Sequence, residues 1–255
     1  MSHADDEFFV GYLPTPPGLR RRSAISGAVF GLGLMIVGAL LASTTQGAGA
    51  AHFAFANNQG TLGLFSARPA ASLWTLDPSA EGGVRGTLLV RQGKFGLGPA
   101  AAALDGHIVR VSGSSIERDG HRMLELASAP TLADAELPDS ARAQLLARVH
   151  RELGEVTVTG EIVDSKCYLG RMRPGDRRTH RACAQLCIAG GIPPVLVAQD
   201  ESGADVQYWL ATRDGSPIFR EILPFVAEPV AVTGKLVREG DVLILQTDVE
   251  HVTRL

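Results

Sequence analysis

The segment DGHIVRVSGSSIERDGHRMLEL, which spans Asp105–Leu126, carries the pattern that decides the fold of this chain. It runs through an alternating strand, Gly113, a second short strand, a turn at Asp119-Gly120 and a last apolar strand. The segment EPVAVTGKLVREGDVLIL, Glu228–Leu245, repeats this order around Gly234. A glycine inside a strand marks a bend, and small barrels need such bends to close. The repeat therefore predicts a mostly β chain with two small β-barrel modules that resemble the OB-fold.

The sequence outside the repeat adds further strands and one helix. Any two β-hairpins look alike, so the repeat alone leaves the barrel topology open. Further strands are predicted at Val84–Gln92, Val156–Val163, Val195–Ala198 and Tyr208–Ala211. A helix that joins the two modules is predicted at Asp139–Leu153, behind a proline. Apolar residues recur there at helical spacing, namely Leu145, Leu146, Val149 and Leu153.

The run AISGAVFGLGLMIVGALLA, Ala24–Ala42, contains 19 residues and no charge. As a helix it would rise about 28 Å, close to the roughly 30 Å hydrocarbon core of a bilayer. Three arginines at 20–22 precede it, and positive charge stays on the cytoplasmic side. We predict a single-pass inner-membrane protein with a cytoplasmic N-terminus and its bulk in the periplasm. The alternatives are a cleaved signal peptide and a buried core helix. The acidic leader and the length of the run argue against the signal peptide.

These elements divide the chain into six segments. We expect a cytoplasmic leader at 1–23, the transmembrane helix at 24–43, a linker at 44–54, a first β module at 55–135, a connecting helix at 136–154 and a second OB-like module at 155–255. Gly27 and Gly31 are four residues apart, a spacing that lets a second membrane helix approach closely. This face predicts a partner in a membrane protein complex, although membrane helices also tolerate glycine without one.

Composition and motifs exclude several classes of function. The chain has 255 residues, a formal net charge of −3 and 45% apolar residues, so it resembles neither a disordered chain nor a nucleic-acid binder. The sequence contains no Gly-x-Ser-x-Gly, no His-Glu-x-x-His, no phosphate loop and no dinucleotide-binding motif. We therefore expect a binding or accessory protein rather than an enzyme.

The residues with distinctive chemistry lie in one segment, GEIVDSKCYLGRMRPGDRRTHRACAQLCIAGGIPP, at 160–194. It contains all three cysteines of the chain. If Thr179–Ile188 is helical, His180, Cys183 and Cys187 share one face, because residues three and four apart are neighbours on a helix. The spacing predicts that these side chains form one cluster.

A fourth member, Cys167, would join this cluster from the end of the preceding strand. The set predicts a Cys₃His or Cys₂His metal centre, with Asp164 as a ligand or as the acceptor for an imidazole N–H. Thiolate and imidazole donors together suit zinc or copper. The predicted metal ligands are Cys167, His180, Cys183 and Cys187.

A disulfide is the alternative use of these cysteines, since thiols outside the cytoplasm tend to be oxidised. A bond from Cys167 to Cys183 or Cys187 would close a loop of about 16–20 residues and contribute roughly 3 kcal/mol to stability. It would leave one thiol over, and the chain would then be a purely structural subunit. A third alternative is a thiol enzyme with Cys183 or Cys187 as the nucleophile and His180 as the base.

The same segment is rich in arginine. Clustered arginines bind carboxylates and phosphates through paired hydrogen bonds, so they predict an anion site beside the thiols. Phospholipid headgroups, haem propionates and an acidic partner are the ligands considered, and a solvated loop is the alternative. The arginines are Arg171, Arg173, Arg177, Arg178 and Arg181.

The strings DSKCYLG and HRACAQLCIAGGIPP resemble a motif of bacterial proteins that have an N-terminal membrane anchor and an exported OB-like β domain. The leader FFVGYLPTPPGLRR is similar to theirs as well. The resemblance covers most of the chain and implies architecture, but it supplies neither an activity nor a metal. Together with the residues, it predicts a membrane-anchored accessory protein with a Cys/His centre, in a membrane redox or metal-handling complex.

Overall fold

The computed structural model describes residues 15–44, 51–172 and 174–255 of the chain. The chain divides into two compact units, residues 1–47 and residues 48–255. The first unit contains an apolar helix, and the second contains two closed five-stranded barrels. The predicted fold class, mostly β with one N-terminal apolar helix and two OB-like modules, is confirmed.

The N-terminal helix, α1, spans Pro17–Thr44 and is longer than the predicted apolar run. An 18-residue window within Pro17–Ser43 has a mean hydropathy of 2.2, and this is the one helix in the described part of the chain with the length and composition to cross a membrane. The helix includes the last seven residues of the expected leader. Proline is tolerated in the first turn of a helix, where its missing N–H would have no helical partner.

The first barrel consists of five strands that close on themselves and one short addition. The strands lie in the order β1-β2-β3-β5-β4, and β4 pairs with β1 to close the ring, while β6 pairs with β4. β3 and β5 are parallel, and the other neighbours in the ring are antiparallel. The strands are β1 (His52–Ser66), β2 (Ser72–Leu76), β3 (Val84–Arg91), β4 (Ile108–Arg118), β5 (His121–Leu126) and β6 (Thr131–Leu132).

The second barrel repeats the strand order of the first. Its ring runs β7-β8-β9-β11-β10, and β10 pairs with β7 to close it, while β12 pairs with β10. β9 and β11 form its parallel pair, in the place that β3 and β5 take in the first ring. The strands are β7 (His150–Asp164), β8 (Pro194–Gln199), β9 (Asp205–Ala211), β10 (Pro229–Glu239), β11 (Val242–Gln246) and β12 (Val252–Arg254).

The two glycines of the sequence repeat occupy corresponding strands, β4 and β10. A Cβ atom on Gly113 would lie 2.1 Å from the carbonyl oxygen of Glu125, and one on Gly234 would lie 2.3 Å from that of Gln246. Any side chain at either position would push the neighbouring strand away. The repeat seen in the sequence is therefore also a repeat of local structure.

Three predicted boundaries differ from the structure. The connecting helix, α2, spans Asp139–Leu146 and does not continue to Leu153, because β7 begins at His150 and pairs with β10. The second module thus begins five residues before the expected position 155. β1 begins at His52, inside the expected linker, because residues 52–54 pair with β4; residues 45–50 of that linker lie outside the described part.

The two barrels share one apolar core. Trp74 from the first barrel and Trp209 from the second lie with their ring centroids 6.0 Å apart, and both belong to one cluster of buried residues. The same cluster includes Cys167 and Cys187, which come from the long connection between β7 and β8. This connection holds a π-helical turn, Cys167–Arg171, and a helix, α3, at Arg177–Ala189.

Candidate metal centre

The centre is organised around Asp164, the last residue of β7, whose side chain is fully buried. Its Oδ1 accepts a hydrogen bond of 2.9 Å from the backbone N–H of Cys167, which fixes the start of the π-helical turn. Its Oδ2 lies 3.0 Å from Nε2 of His180 on α3. One carboxylate therefore positions both the turn that carries Cys167 and the imidazole of His180.

Helix α3 places the other three side chains of the cluster. His180, Cys183 and Cys187 are three and four residues apart, so they lie on neighbouring turns along one side of the helix. His180 and Cys187 are buried, whereas Cys183 is half-buried. Ala184 and Ile188 lie in the core of the second barrel and hold the helix against it.

Two overlapping groups of metal-binding atoms result from this arrangement. In the first group, the donor atoms of Cys167, His180 and Cys183 all lie within 4.8 Å of one another. In the second group, those of Asp164, Cys167 and Cys187 do so as well. The structure thus brings together all four predicted ligands, and Cys167 is common to both groups. All three cysteines have free thiols in the structure.

Lys94 completes the site from the loop that follows β3 in the first barrel. Its Nζ donates hydrogen bonds to Sγ of Cys183, at 2.8 Å, and to Sγ of Cys187, at 3.5 Å. The hydrogen bond to Cys183 is the main reason why the pKa of Lys94 is raised above its usual value. Sequence reasoning missed this residue, because nothing local to Lys94 reveals a contact with cysteines almost ninety positions later.

The titration of the site follows from its hydrogen bonds. A hydrogen bond with Cys167 lowers the pKa of Cys187 to about 7, and the ammonium of Lys94 adds to this effect. The pKa of Cys167 is raised by the same hydrogen bond and by burial. The hydrogen bond with Asp164 raises the pKa of His180. The ammonium of Lys94, 3.5 Å from the sulfur of Cys187, favours the thiolate form of that residue.

Lys166, next to Cys167, ties the turn to the first barrel. It is 3% exposed, and its Nζ lies 2.6 Å from the buried carboxylate of Glu125. The same nitrogen donates to the carbonyl oxygens of Arg91 and Gly93, each at 2.8 Å. Its three partners all belong to the first barrel and its β3 loop, so the cysteine turn of the second barrel is anchored on the first.

The backbones of the two barrels also meet beside the thiols. The N–H of Gly96 donates to the carbonyl of Gly190 at 3.0 Å. A Cβ on Gly190 would lie 1.9 Å from the carbonyl oxygen of Lys94, so only glycine fits there. This close approach is what brings the Lys94 side chain within reach of α3.

The arginines of the predicted anion site have mixed surroundings. Arg181 is paired with Glu228, and Arg178 lies 3.9 Å from the same carboxylate and is largely exposed. The backbone N–H of Arg177 donates to Glu161. Arg173 and the side chain of Arg171 lie outside the described residues. An anion site at these arginines stays a prediction. The guanidinium of Arg181 is already paired with the carboxylate of Glu228.

Comparison with protein-family models, with curated proteins and with solved structures found no match to this chain. The chemistry of the site therefore rests on its own geometry. Two cysteine sulfurs and one imidazole nitrogen lie close together, on a helix and a turn fixed by a shared carboxylate. Such a cluster can bind a metal ion through soft and borderline donors, or it can form a disulfide.

Proposed function

We propose that this chain is a membrane-anchored accessory protein whose β unit binds one zinc or copper ion outside the cytoplasm. The observation that carries the proposal is the group formed by Cys167, His180 and Cys183, whose donor atoms lie within 4.8 Å of one another. Thiolate and imidazole are the donors that these two metals prefer. Cys187 lies within the same distance of Cys167 but is not a member of this three-ligand group, so its thiol is left over.

The position of Asp164 supports a metal rather than a purely structural cluster. A metal-binding histidine usually gives its second ring nitrogen to a carboxylate or a carbonyl, which orients the ring and makes it a stronger ligand. His180 has this partner in Asp164, and both side chains are buried. The imidazole is thus held in one orientation before any ion binds, which reduces the entropic cost of binding.

Metal binding is tested on the full chain, reduced and purified in mild detergent. We expect one zinc or one copper(I) ion per chain, and competition between the two will identify the preferred metal. His180→Ala and Cys183→Ala should each abolish stoichiometric binding. His52→Ala is the matched control, since His52 is an exposed histidine on β1 and lies outside the metal-binding groups of the described residues. Equal binding by the His180 and His52 variants would refute the proposal.

The anchor is the second part of the proposal. The arginines at 20–22 lie in α1 just before its uncharged stretch, which favours a cytoplasmic N-terminus and a periplasmic β unit. An alkaline phosphatase fused after residue 255 should be active, because this enzyme folds only after export. A chain recovered in the soluble fraction without its first residues would instead identify a cleaved signal sequence.

Gly27 and Gly31 give the anchor a face of small residues that fits a second membrane helix. The accessory role therefore predicts a partner that copurifies in mild detergent. Replacing both glycines by leucine should remove it. Gly33→Leu is the control, because that glycine lies on a different side of the helix, and it should leave the partner bound.

A structural disulfide is the second candidate. The sulfur atoms of Cys167 and Cys187 lie within 4.8 Å of each other, and both residues are buried. Counting thiols in the unfolded chain separates the candidates: three thiols with bound metal support the metal centre, and one thiol without metal supports the disulfide.

A further inference from the structure

Cys167 belongs to both groups of donor atoms, and this sharing has a chemical consequence. With His180 and Cys183 it forms the group that suits a metal ion. Its sulfur also lies within 4.8 Å of the sulfur of Cys187. A disulfide would need that distance to shorten to about 2.0 Å. One sulfur cannot serve both purposes, because a disulfide sulfur is no longer a thiolate ligand.

The position of Cys167 allows a small movement of this kind. It is the first residue of a π-helical turn, between the end of β7 and α3, and not part of a strand or of an α-helix. π-Helical turns are rare and are frequent at functional sites. Cys187, by contrast, is fixed on α3 and packs in the core. The turn is therefore the element that moves when the two sulfurs approach each other.

Cys187 is also the thiol that a three-ligand metal site leaves unused. It is buried, but a flexible side chain covers it on one side, since the exposed Lys94 reaches its sulfur at 3.5 Å. Because Lys94 is an exposed and flexible side chain at this sulfur, its rotation is the route by which a small oxidant would reach Cys187 while Cys167 and Cys183 hold the metal.

We propose that Cys167 exchanges between two partners, so that oxidation of the Cys167–Cys187 pair releases the metal. This inference rests on the proposed metal-binding function. The oxidant is a small disulfide. The Cys187 thiolate attacks it, which breaks its S–S bond, forms a mixed disulfide and releases one thiolate. The Cys167 thiolate then attacks Sγ of Cys187, expels the second thiolate and leaves the metal. Two protein thiols are oxidised, one small disulfide is reduced to two thiols, and the ion departs with two ligands left behind.

The test uses the full chain in detergent, reduced, loaded with zinc and then treated with 2-hydroxyethyl disulfide. A zinc indicator measures release of the ion, and tryptic mapping locates the disulfide. Cys167 lies in the peptide CYLGR, and the other two cysteines lie in the peptide that begins at Ala182, where fragmentation between them tells them apart. We expect one Cys167–Cys187 disulfide for each zinc ion released.

Cys187→Ser is the decisive variant, with Cys187→Ala as a second form in case the hydroxyl disturbs the core. Both should bind zinc when reduced, and both should release it on the order of tenfold more slowly under the disulfide, because the attacking thiol is gone. Equal release rates in the native chain and in both variants would overturn the exchange. So would a disulfide that joins Cys167 to Cys183.

The same experiment separates this inference from the function on which it rests. If the reduced native chain binds neither zinc nor copper(I), the metal-binding function fails, and the exchange fails with it even when the disulfide forms. If the chain binds zinc and keeps it while the Cys167–Cys187 disulfide forms, only the exchange is refuted.

Discussion

Loss of the buried charge of Lys166 should strongly destabilise this protein, and Lys166→Met is the informative substitution. The change removes the charge and keeps most of the apolar stem. It leaves the carboxylate of Glu125, which is 6% exposed, without its 2.6 Å ammonium partner. It also removes the donor to the carbonyls of Arg91 and Gly93. Breaking a buried ion pair by removing one partner costs about 3–5 kcal/mol.

The expected loss can be read from urea unfolding of the full chain in detergent. The two tryptophans, Trp74 and Trp209, are both buried in the core between the barrels, so their fluorescence follows the β unit alone. A loss of about 4 kcal/mol, at a slope of about 2 kcal/mol per molar urea, lowers the midpoint by about 2 M.

Two further variants test the reasoning. Lys235→Met is the matched control, since Lys235 pairs with Glu152 on the surface and such pairs contribute only about 0–1 kcal/mol. Lys166→Met combined with Glu125→Met should recover most of the lost stability, because an apolar pair can replace a buried ion pair. A midpoint for Lys166→Met equal to that of Lys235→Met would refute the account of a buried charge.

Three more predictions concern the centre. Asp164→Asn should weaken zinc binding by about 10–100-fold, because His180 loses the carboxylate that orients it. Asp134→Asn is the control and should leave zinc affinity unchanged, since Asp134 belongs to an Asp–His pair on the surface. Equal zinc affinities of the two variants in a titration would contradict this prediction. Lys94→Met should raise zinc affinity by about tenfold, since an ammonium no longer competes at the two sulfurs, while Lys235→Met should leave it unchanged. In the metal-free chain the pKa of His180 is raised, because its protonated ring pairs with Asp164. This charged pair stabilises the fold fully below about pH 6.5, and the stabilisation is lost as the pH rises through the raised pKa. The difference in urea unfolding midpoint between the native chain and His180→Gln should therefore shrink from pH 6 to pH 9, and a constant difference would show that the pair stays uncharged.

Much of the fold could be predicted from the sequence, because its signals are local. Alternating apolar residues and the glycines at 113 and 234 indicated the hairpins that close each barrel. The helical prediction for 139–153 was wrong after Leu146 because pairing with β10 draws the following residues into β7. Leu146, counted as part of the apolar face, is exposed in the structure.

The candidate site, too, could be predicted from the sequence only where its signals are local. The spacing of His180, Cys183 and Cys187 places them on one side of α3 whatever the rest of the fold does. Lys94 and Lys166 could not be assigned, since their roles depend on how the first barrel meets the second. The spacing of neighbouring residues in the sequence does not indicate the contact between Lys94 and Cys183 or that between Glu125 and Lys166. Lys166 lies beside Cys167 in the sequence, yet its buried ammonium pairs with Glu125 of the first barrel.

The shared strand order of the two barrels is the pattern that duplication of an ancestral module leaves behind. In the first copy, β1 and β2 are joined by a short turn, whereas the corresponding connection of the second copy holds every cysteine of the chain. The first barrel contains no cysteine, but its Lys94 donates a hydrogen bond to Cys183 of the second. The two barrels therefore depend on each other: a gene rearrangement that separated them would expose the apolar core that they share and would remove Lys94 from the cysteines of the second barrel.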